Sequence, residues 1–444
     1  MTEDAFLAAI LARYHDDGPR LILADYLAES SNPSTAARAD FIRVQLALAR
    51  LSPEHPRWPV LNALQVRLLQ EHQHDWAGSL AGIASAVEFR RGLLDSIAID
   101  ARRFLDVGEE LFRLAPIRRV RLLEARACWD RLADCTALRH LRELDLCSND
   151  LGSGGLAILL RSPHLTQLRH LDLSFTGLDD SAMALLARSV ALPRLRQLLM
   201  TDNGAITGEA ITSLAESRSF ARLVTLDLSG NAINERGVRA LVSTQGFPRL
   251  RHLAIHANPL GDSGVAMLAN APPFARFAAD RGRLNLRNTQ LSPAGAIALA
   301  SAAWLSRISR LDLSGNELGN QGLAAMAYSP HLPRLRHLSV RNARIYDDGA
   351  ALLAYSPLMT RLAQLDIAEN YLSSRAITWL YLKRRNWKTV LETSGNTAVA
   401  DGHATTEHAG EENQVPQAAR IEQLRRRYVP REFWPSPGDA TASR

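Results

Sequence analysis

Asp145 and Asp172 stand 27 residues apart in a chain of 444. If they occupy equivalent places on neighbouring strands, their carboxylates lie about 5 Å apart, within reach of acid–base work or a divalent cation. Asp227 and Asp312 fall at the same phase, but Leu199, Ala254, Asn285 and Ser339 interrupt the column and leave no consistent third ligand. A solvated, partner-facing stripe is therefore the expectation, not a metal or catalytic centre. Gly152-x-Gly154-x-x-Ala157 has the spacing of a dinucleotide-binding turn. It begins well after the apolar Leu146 and fills slots that recur elsewhere in the chain, so a structural role is expected. His252 and His256 would sit about 13 Å apart on a strand, too far to share one metal. His72-x-His74 has no further ligands nearby. No Ser/His/Asp or Cys/His set and no phosphate loop can be assembled. The expectation is a non-enzymatic protein with no catalytic residue, cofactor or metal.

Charge points the same way. Arg283, Arg287, Arg310 and Arg341 fall at outward phases of three successive segments, with His252 and His256 one segment earlier. An acidic stripe and a basic patch on one face suit a charge-patterned protein partner. The expected contact set is Asp145, Asp172, Asp227, Asp312, Arg283, Arg287, Arg310, Arg341, His252 and His256. The formal charge is +6, yet Lys383 and Lys388 are the only lysines, so 52 − 2 = 50 basic residues are Arg. That bias runs through the whole chain and reads as composition, which disfavours nucleic acid as the partner. Cys128, Cys135 and Cys147 cannot all pair and do not match zinc spacings. No secretory leader and no apolar run of membrane-spanning length is visible. A cytoplasmic, monomeric protein is the expectation.

The elements that would position these residues come from one motif. Leu141-Arg-Glu-Leu144-Asp-Leu146-Cys-Ser-Asn149-Asp-Leu151 reads LxxLxLxxNxL, and further copies start at 168, 195, 223, 250, 281, 308, 335 and 362. The near-fixed period predicts stacked repeats, each with a short strand whose LxL leucines point inward. Four residues after each template's end comes a small residue: Gly155, Ala182, Ala210, Gly237, Gly264, Gly295, Gly322, Gly349 or Ala376. Close approach of a helix to the strand layer is the expected reason. Asn149, Asn203, Asn231, Asn258, Asn316 and Asn370 are expected to bond turn backbones of successive repeats. Thr176 and Thr289 can do part of this, and Ala343 cannot. No single repeat can bury enough apolar surface to fold alone; neighbours must complete its core.

The motif resembles the leucine-rich repeat, of the longer helix-bearing type in ribonuclease-inhibitor-like proteins. The resemblance implies an α/β solenoid with parallel strands on the concave face and helices on the convex face, and a protein partner on the concave face. Residues 1–51 differ from the repeats. Glu3–Ile10, Pro19–Leu27 and Asp40–Gln45 resemble the short repeat-companion domain of bacterial repeat proteins, which implies a small all-α unit and a bacterial origin. A helix over Arg20–Glu29 should face Leu21, Ala24, Leu27 and Ala28 inward, with Gly18-Pro19 as the break before it. Residues 52–140 read as a helical bridge and two imperfect repeats, 141–395 as the solenoid, 396–419 as a disordered acidic linker, and 420–444 as a basic tail with a short helix. Four extra residues near Pro272–Phe277 predict a bulge. The alternative function is a regulator of another enzyme, similar to leucine-rich-repeat activators of small GTPases. That role needs an exposed essential arginine on the rim.

Overall fold

The computed structural model describes residues 3–53, 55–217, 219–243, 246–271, 282–383, 390–397 and 418–434. It divides into two compact units, one of residues 1–176 and 189–198, the other of 177–188 and 199–444.

The first unit opens with four helices: α1 (Glu3–Ala12), α2 (Gly18–Ala28), α3 (Pro33–Leu48) and α4 (Trp58–Ala77). Prolines begin three of them. Pro19, Pro33 and Pro59 lie in first turns, where a missing N–H leaves no bond unmade. Gly18-Pro19 thus starts a helix instead of separating two. Asn32 caps α3 by accepting from the N–H groups of Ser34 and Thr35. Phe6, Ile10, Leu23, Ala24, Leu27, Ile42 and Leu46 form the core. The inward face of α2 is turned from the expected one: Leu21 and Ala28 are exposed, and Leu23 and Arg20 are inside. Arg20 is 0% exposed. Its Nη1 donates to the carbonyls of Tyr14 at 2.7 Å and Asp16 at 3.0 Å, satisfying the end of α1 and the turn after it.

The repeats of this unit begin at a hairpin that the periodicity did not reveal. Strand β1 (Ala86–Arg90) pairs antiparallel with β2 (Leu93–Asp100) through Arg91-Gly92, whose φ values are +53° and +84°. Gly92 is required twice over: its φ is positive, and a Cβ would stand 2.3–2.7 Å from Ile42. Its N–H donates to Gln45 Oε1 at 2.6 Å. From β2 onward the ladder is parallel through β3 (Arg119–Leu123), β4 (Glu143–Asp145) and β5 (His170–Asp172). Ile97, Val120, Leu144 and Leu171 fall in register as one buried row. The helices here are α5 (Ala101–Leu114), α6 (Trp129–Ala133) and α7 (Gly152–Leu159); β6 (Gln197–Leu199) has its first two residues in this unit.

The second unit repeats strand, turn and helix. Its elements are α8 (Asp180–Arg188), α9 (Gly208–Glu216), β7 (Thr225–Asp227), α10 (Glu235–Ser243), β8 (His252–Ala254), α11 (Gly261–Asn270), β9 (Arg283–Asn285) and α12 (Pro293–Ala300). There follow β10 (Arg310–Asp312), α13 (Gly319–Tyr328), β11 (His337–Ser339), α14 (Asp347–Ala354), β12 (Gln364–Asp366), α15 (Ser374–Lys383) and β13 (Val390–Glu392). Strands β7 and β8 pair in parallel, as do β9 through β13 in order. The expected bulge at Pro272–Phe277 lies outside the described residues. Around it the stack holds at the turns, where Ala257 N–H reaches Arg287 O at 2.7 Å and Gly261 N–H reaches Thr289 O at 3.0 Å.

Strand β13 adds a rung beyond the last predicted copy. Leu391 lies opposite Leu365, and Asn396, read from the sequence as linker, joins the Asn ladder. Its Oδ1 accepts from Asn370 N–H at 3.0 Å, and its Nδ2 donates to the carbonyls of Ile367 and Thr393. Residues 398–417 of the expected linker, 396–419, lie outside the described residues, and Ala418 and Ala419 at its end are already helical. The final helix α16 (Ala418–Tyr428) packs on α13 and α14 with Ile421 and Leu424 buried. Tyr428 OH donates to Asp348 Oδ2 at 3.3 Å.

Two columns explain the stacking. The Asn side chains bond as expected: Asn149 accepts from Ala125 N–H and donates to the carbonyls of Leu122 and Leu146. Asn258 and Asn316 repeat the pattern. The small-residue column has a wider cause than the one expected. A Cβ at Gly237 would meet Gly208 Cα at 3.0 Å, at Gly295 it would meet Asp262 Oδ1 at 2.3 Å, and at Gly349 Asn320 Oδ1 at 2.5 Å. Those neighbours belong to the preceding helix, and the last apolar template residue of the same repeat also crowds the place, with Ile233 at 2.6 Å, Leu291 at 2.5 Å and Ile345 at 3.1 Å, so helix packs against helix as well as against its own repeat's core.

Candidate partner-binding face

Each outward strand position adjoins an inward residue of the core row, which fixes its direction by the pleat. In the first unit Asp145 and Asp172 are register partners across β4 and β5, as the spacing predicted. Both are used internally. Asp145 Oδ1 accepts from Cys147 N–H at 3.0 Å, and Asp172 Oδ1 accepts from Ser174 N–H at 2.9 Å. Asp145 is also 6% exposed and its Oδ2 takes Arg119 Nη2 at 3.2 Å. The same turn bond recurs in the second unit at Asp227 with Ser229, Asp312 with Ser314 and Asp366 with Ala368. Aspartate is favoured at this place because a short acceptor reaches the N–H two residues on. Beside Asp145, His170 Nδ1 meets Glu143 Oε1 at 3.1 Å. Burial works to raise the Glu143 carboxyl, and the His170 contact together with the Arg90 and Arg119 charges holds the group below its ordinary range.

The basic residues are freer. In the second unit Arg283 and Arg310 are register partners, both exposed, and neither makes an ion pair among the described residues. His337 follows in the same row, opposite Arg310. Its pKa is lowered, by burial first and then by the Arg310 and Arg283 charges. Arg287 is exposed two residues beyond β9. Arg341 differs, because its Nη2 bonds Glu369 Oε1 at 2.8 Å and its Nη1 stands 3.9 Å from Asp366. Sequence reasoning missed Glu369 as a partner and His337 as the third member of the row. Reading the column before the central one in the same way would have found His337. Next to them Asp312 adjoins Asn285 and Ser339, and Ser339 Oγ donates to Asp366 Oδ2 at 3.1 Å.

The histidines do not form a pair. His252 lies on β8, while His256 sits past its end with Nδ1 2.8 Å from Ser229 Oγ. Burial leads in lowering the His256 pKa. His72 stacks near Trp76 at 5.3 Å between ring centroids. Gly152 N–H is taken by Thr176 O at 3.0 Å, which fits the repeat role expected for the Gly152–Ala157 stretch. No group of three or more metal-ligating side chains occurs among the described residues, and no described helix is long and apolar enough to cross a membrane. The three cysteines are free thiols.

Residues 137–159, 164–187, 223–242 and 308–327 match the leucine-rich repeat family. Among solved structures the chain is similar to an internalin (inlF) from Listeria monocytogenes, with 16% identity and a TM-score of 0.41, over 81% of this chain and 90% of that one. It is also similar to the leucine-rich-repeat ectodomain of the Arabidopsis receptor kinase HAESA, solved with an extended IDA peptide hormone. There the identity is 20% and the TM-score 0.33, over 53% of this chain and 36% of the other. No curated protein matches the chain in sequence. The repeat motif, the parallel strand ladders and the strand–helix alternation together make this an α/β leucine-rich-repeat fold.

Proposed function

We propose that the protein is a non-enzymatic interaction scaffold that binds a protein partner on its outward strand positions. The observation that carries the proposal is the row Arg283–Arg310–His337. Two guanidinium groups lie on adjacent strands, exposed, with no carboxylate paired to either among the described residues. Like charges directly opposite each other work against the fold. Such a row is consistent with selection for a ligand rather than for stability. Asp312, Arg287, Arg341 and, one repeat earlier, His252 and His256, with Asp227 a repeat before those, complete the candidate face in the second unit. In the first unit Asp172 offers more surface to a partner than Asp145, which its own turn and Arg119 occupy. Cytoplasmic location and a monomeric state belong to the same proposal. The test is the double reversal Arg283→Glu with Arg310→Glu. Partner affinity should fall at least tenfold with the melting temperature unchanged, since the variant keeps a like-charge pair at the same two positions. Unchanged affinity in a folded variant refutes this face.

A further inference from the structure

A second row of arginines in the first unit enters none of the contacts above. Arg118, Arg142, Arg169 and Arg196 each stand just before a strand, and the backbone sets them in register. Arg142 N–H donates to Arg118 O at 3.0 Å, Arg169 N–H to Arg142 O at 2.7 Å, and Arg196 N–H to Arg169 O at 2.8 Å. Their α-carbons therefore advance by about one strand spacing, 4.8 Å, per repeat. Arg118 lies 3.7 Å over the Tyr14 ring. Arg142, Arg169 and Arg196 make no ion pair or side-chain hydrogen bond among the described residues, and Arg142 Nη1 is buried without a partner. The nearby carboxylates are engaged elsewhere: Asp145 holds Arg119, and Glu143 holds His170. Burial first, and neighbouring guanidiniums second, keep Arg142 and Arg169 below their ordinary pKa; every charge acting on either is another arginine.

From this register we infer that the Arg118–Arg196 row is a docking surface for the acidic face of an α-helix in a protein partner. Spacing selects the helix. Three intervals of the row span about 14 Å. Three turns of an α-helix carrying an acid at each turn advance about 16 Å, a mismatch that flexible arginines absorb. Same-face acids on an extended strand would cover about 20 Å over three steps. Single-stranded nucleic acid would want aromatic platforms between the charges, and the row holds only arginines. The inference rests on the scaffold reading but concerns a different surface and names its ligand.

The test uses the full chain and three labelled probes in a fluorescence anisotropy titration. One is a helical peptide with Glu at i, i+4, i+7 and i+11, the second has the same composition with its acids scattered around the helix, and the third is an oligo-dT of equal charge. The patterned peptide should bind at least tenfold tighter than the other two. The variant R142Q/R169Q/R196Q should lose that advantage at an unchanged or higher melting temperature, since it removes repulsion and no internal bond. The R283E/R310E variant should bind the patterned peptide like the natural chain. Equal binding of both peptides, preference for oligo-dT, or full affinity in the triple variant overturns the helix-docking inference. Loss in R283E/R310E with none in the triple variant overturns it while leaving the scaffold proposal standing.

Discussion

Replacing Asn370 by Ala tests the ladder that ties the repeats together. Asn370 is 1% exposed. Its Oδ1 accepts from Ala343 N–H at 2.9 Å and Ile345 N–H at 3.0 Å, and its Nδ2 donates to Val340 O at 2.9 Å and Ile367 O at 3.0 Å. Alanine leaves two buried N–H donors without acceptors, at about 1–3 kcal/mol each. Carbonyls have a second lone pair and lose less, so the expected destabilisation is roughly 3–5 kcal/mol. Urea unfolding followed by circular dichroism should show the shift, with faster hydrogen exchange concentrated at Ala343 and Ile345. Asn370→Thr is the control. Thr176 and Thr289 fill the same slot elsewhere and donate to Leu173 O and Leu286 O, so threonine should recover part of the loss. A loss below about 1 kcal/mol for the alanine variant, or identical behaviour of the two, refutes the ladder's role.

Three further outcomes follow from local geometry. Gly92→Ala should cost about 3 kcal/mol or more in thermal unfolding, because the new methyl collides with Ile42 at a φ of +84°; a milder loss would mean that Ile42 yields. Phe175 holds a φ of +55° while 55% exposed, so Phe175→Gly should be neutral or stabilising by up to about 1 kcal/mol in the same assay. Tyr14 donates to Asp95, and burial with the Asp95 charge pushes its pKa up to about 12. The folded state keeps the phenol proton longer than the unfolded chain, so this contribution is complete below pH 10 and is lost as pH rises towards 12. Alkaline unfolding should be less steep in Tyr14→Phe, and a spectrophotometric titration showing Tyr14 ionising near pH 10 would contradict the assignment.

The repeating parts of the fold were the most legible in the sequence; of the parts that occur once, the helices of the N-terminal unit and of the tail were legible but their finer contacts were not. Leu144, Leu171 and Asn149 announce themselves because the same burial recurs from rung to rung and the same turn bond in most of them. Arg20 could not be found this way: an arginine reads as exposed, and its burial follows from the carbonyls of Tyr14 and Asp16 at its head and the Tyr14 ring 4.8 Å away. The face of α2 was misplaced for the same reason, since the template Leu21 looks inward when Arg20 is assumed outward. Gly295 and Gly349 were read correctly as sites of close approach, but periodicity within one repeat could not say that approaching atoms also come from the helix before. Asn396 escaped because Val390–Glu392 lacks the first template leucine, although strand pairing needs only Leu391 inward. At the candidate face the central aspartates drew attention by their recurrence, which the turn bonds explain. Arg283 and Arg310 lie in a variable column that periodicity does not single out, and the proposed face rests on their standing side by side and exposed.

The most direct measurement is a hydroxyl-radical footprint of the full chain with and without its bound partner. The proposal predicts protection at the outward residues of β9 to β11, namely Arg283, Arg310 and His337 with Arg287 and Arg341, and none on the helices α12 to α14. Protection confined to those helices, with the strand residues unchanged, would contradict it.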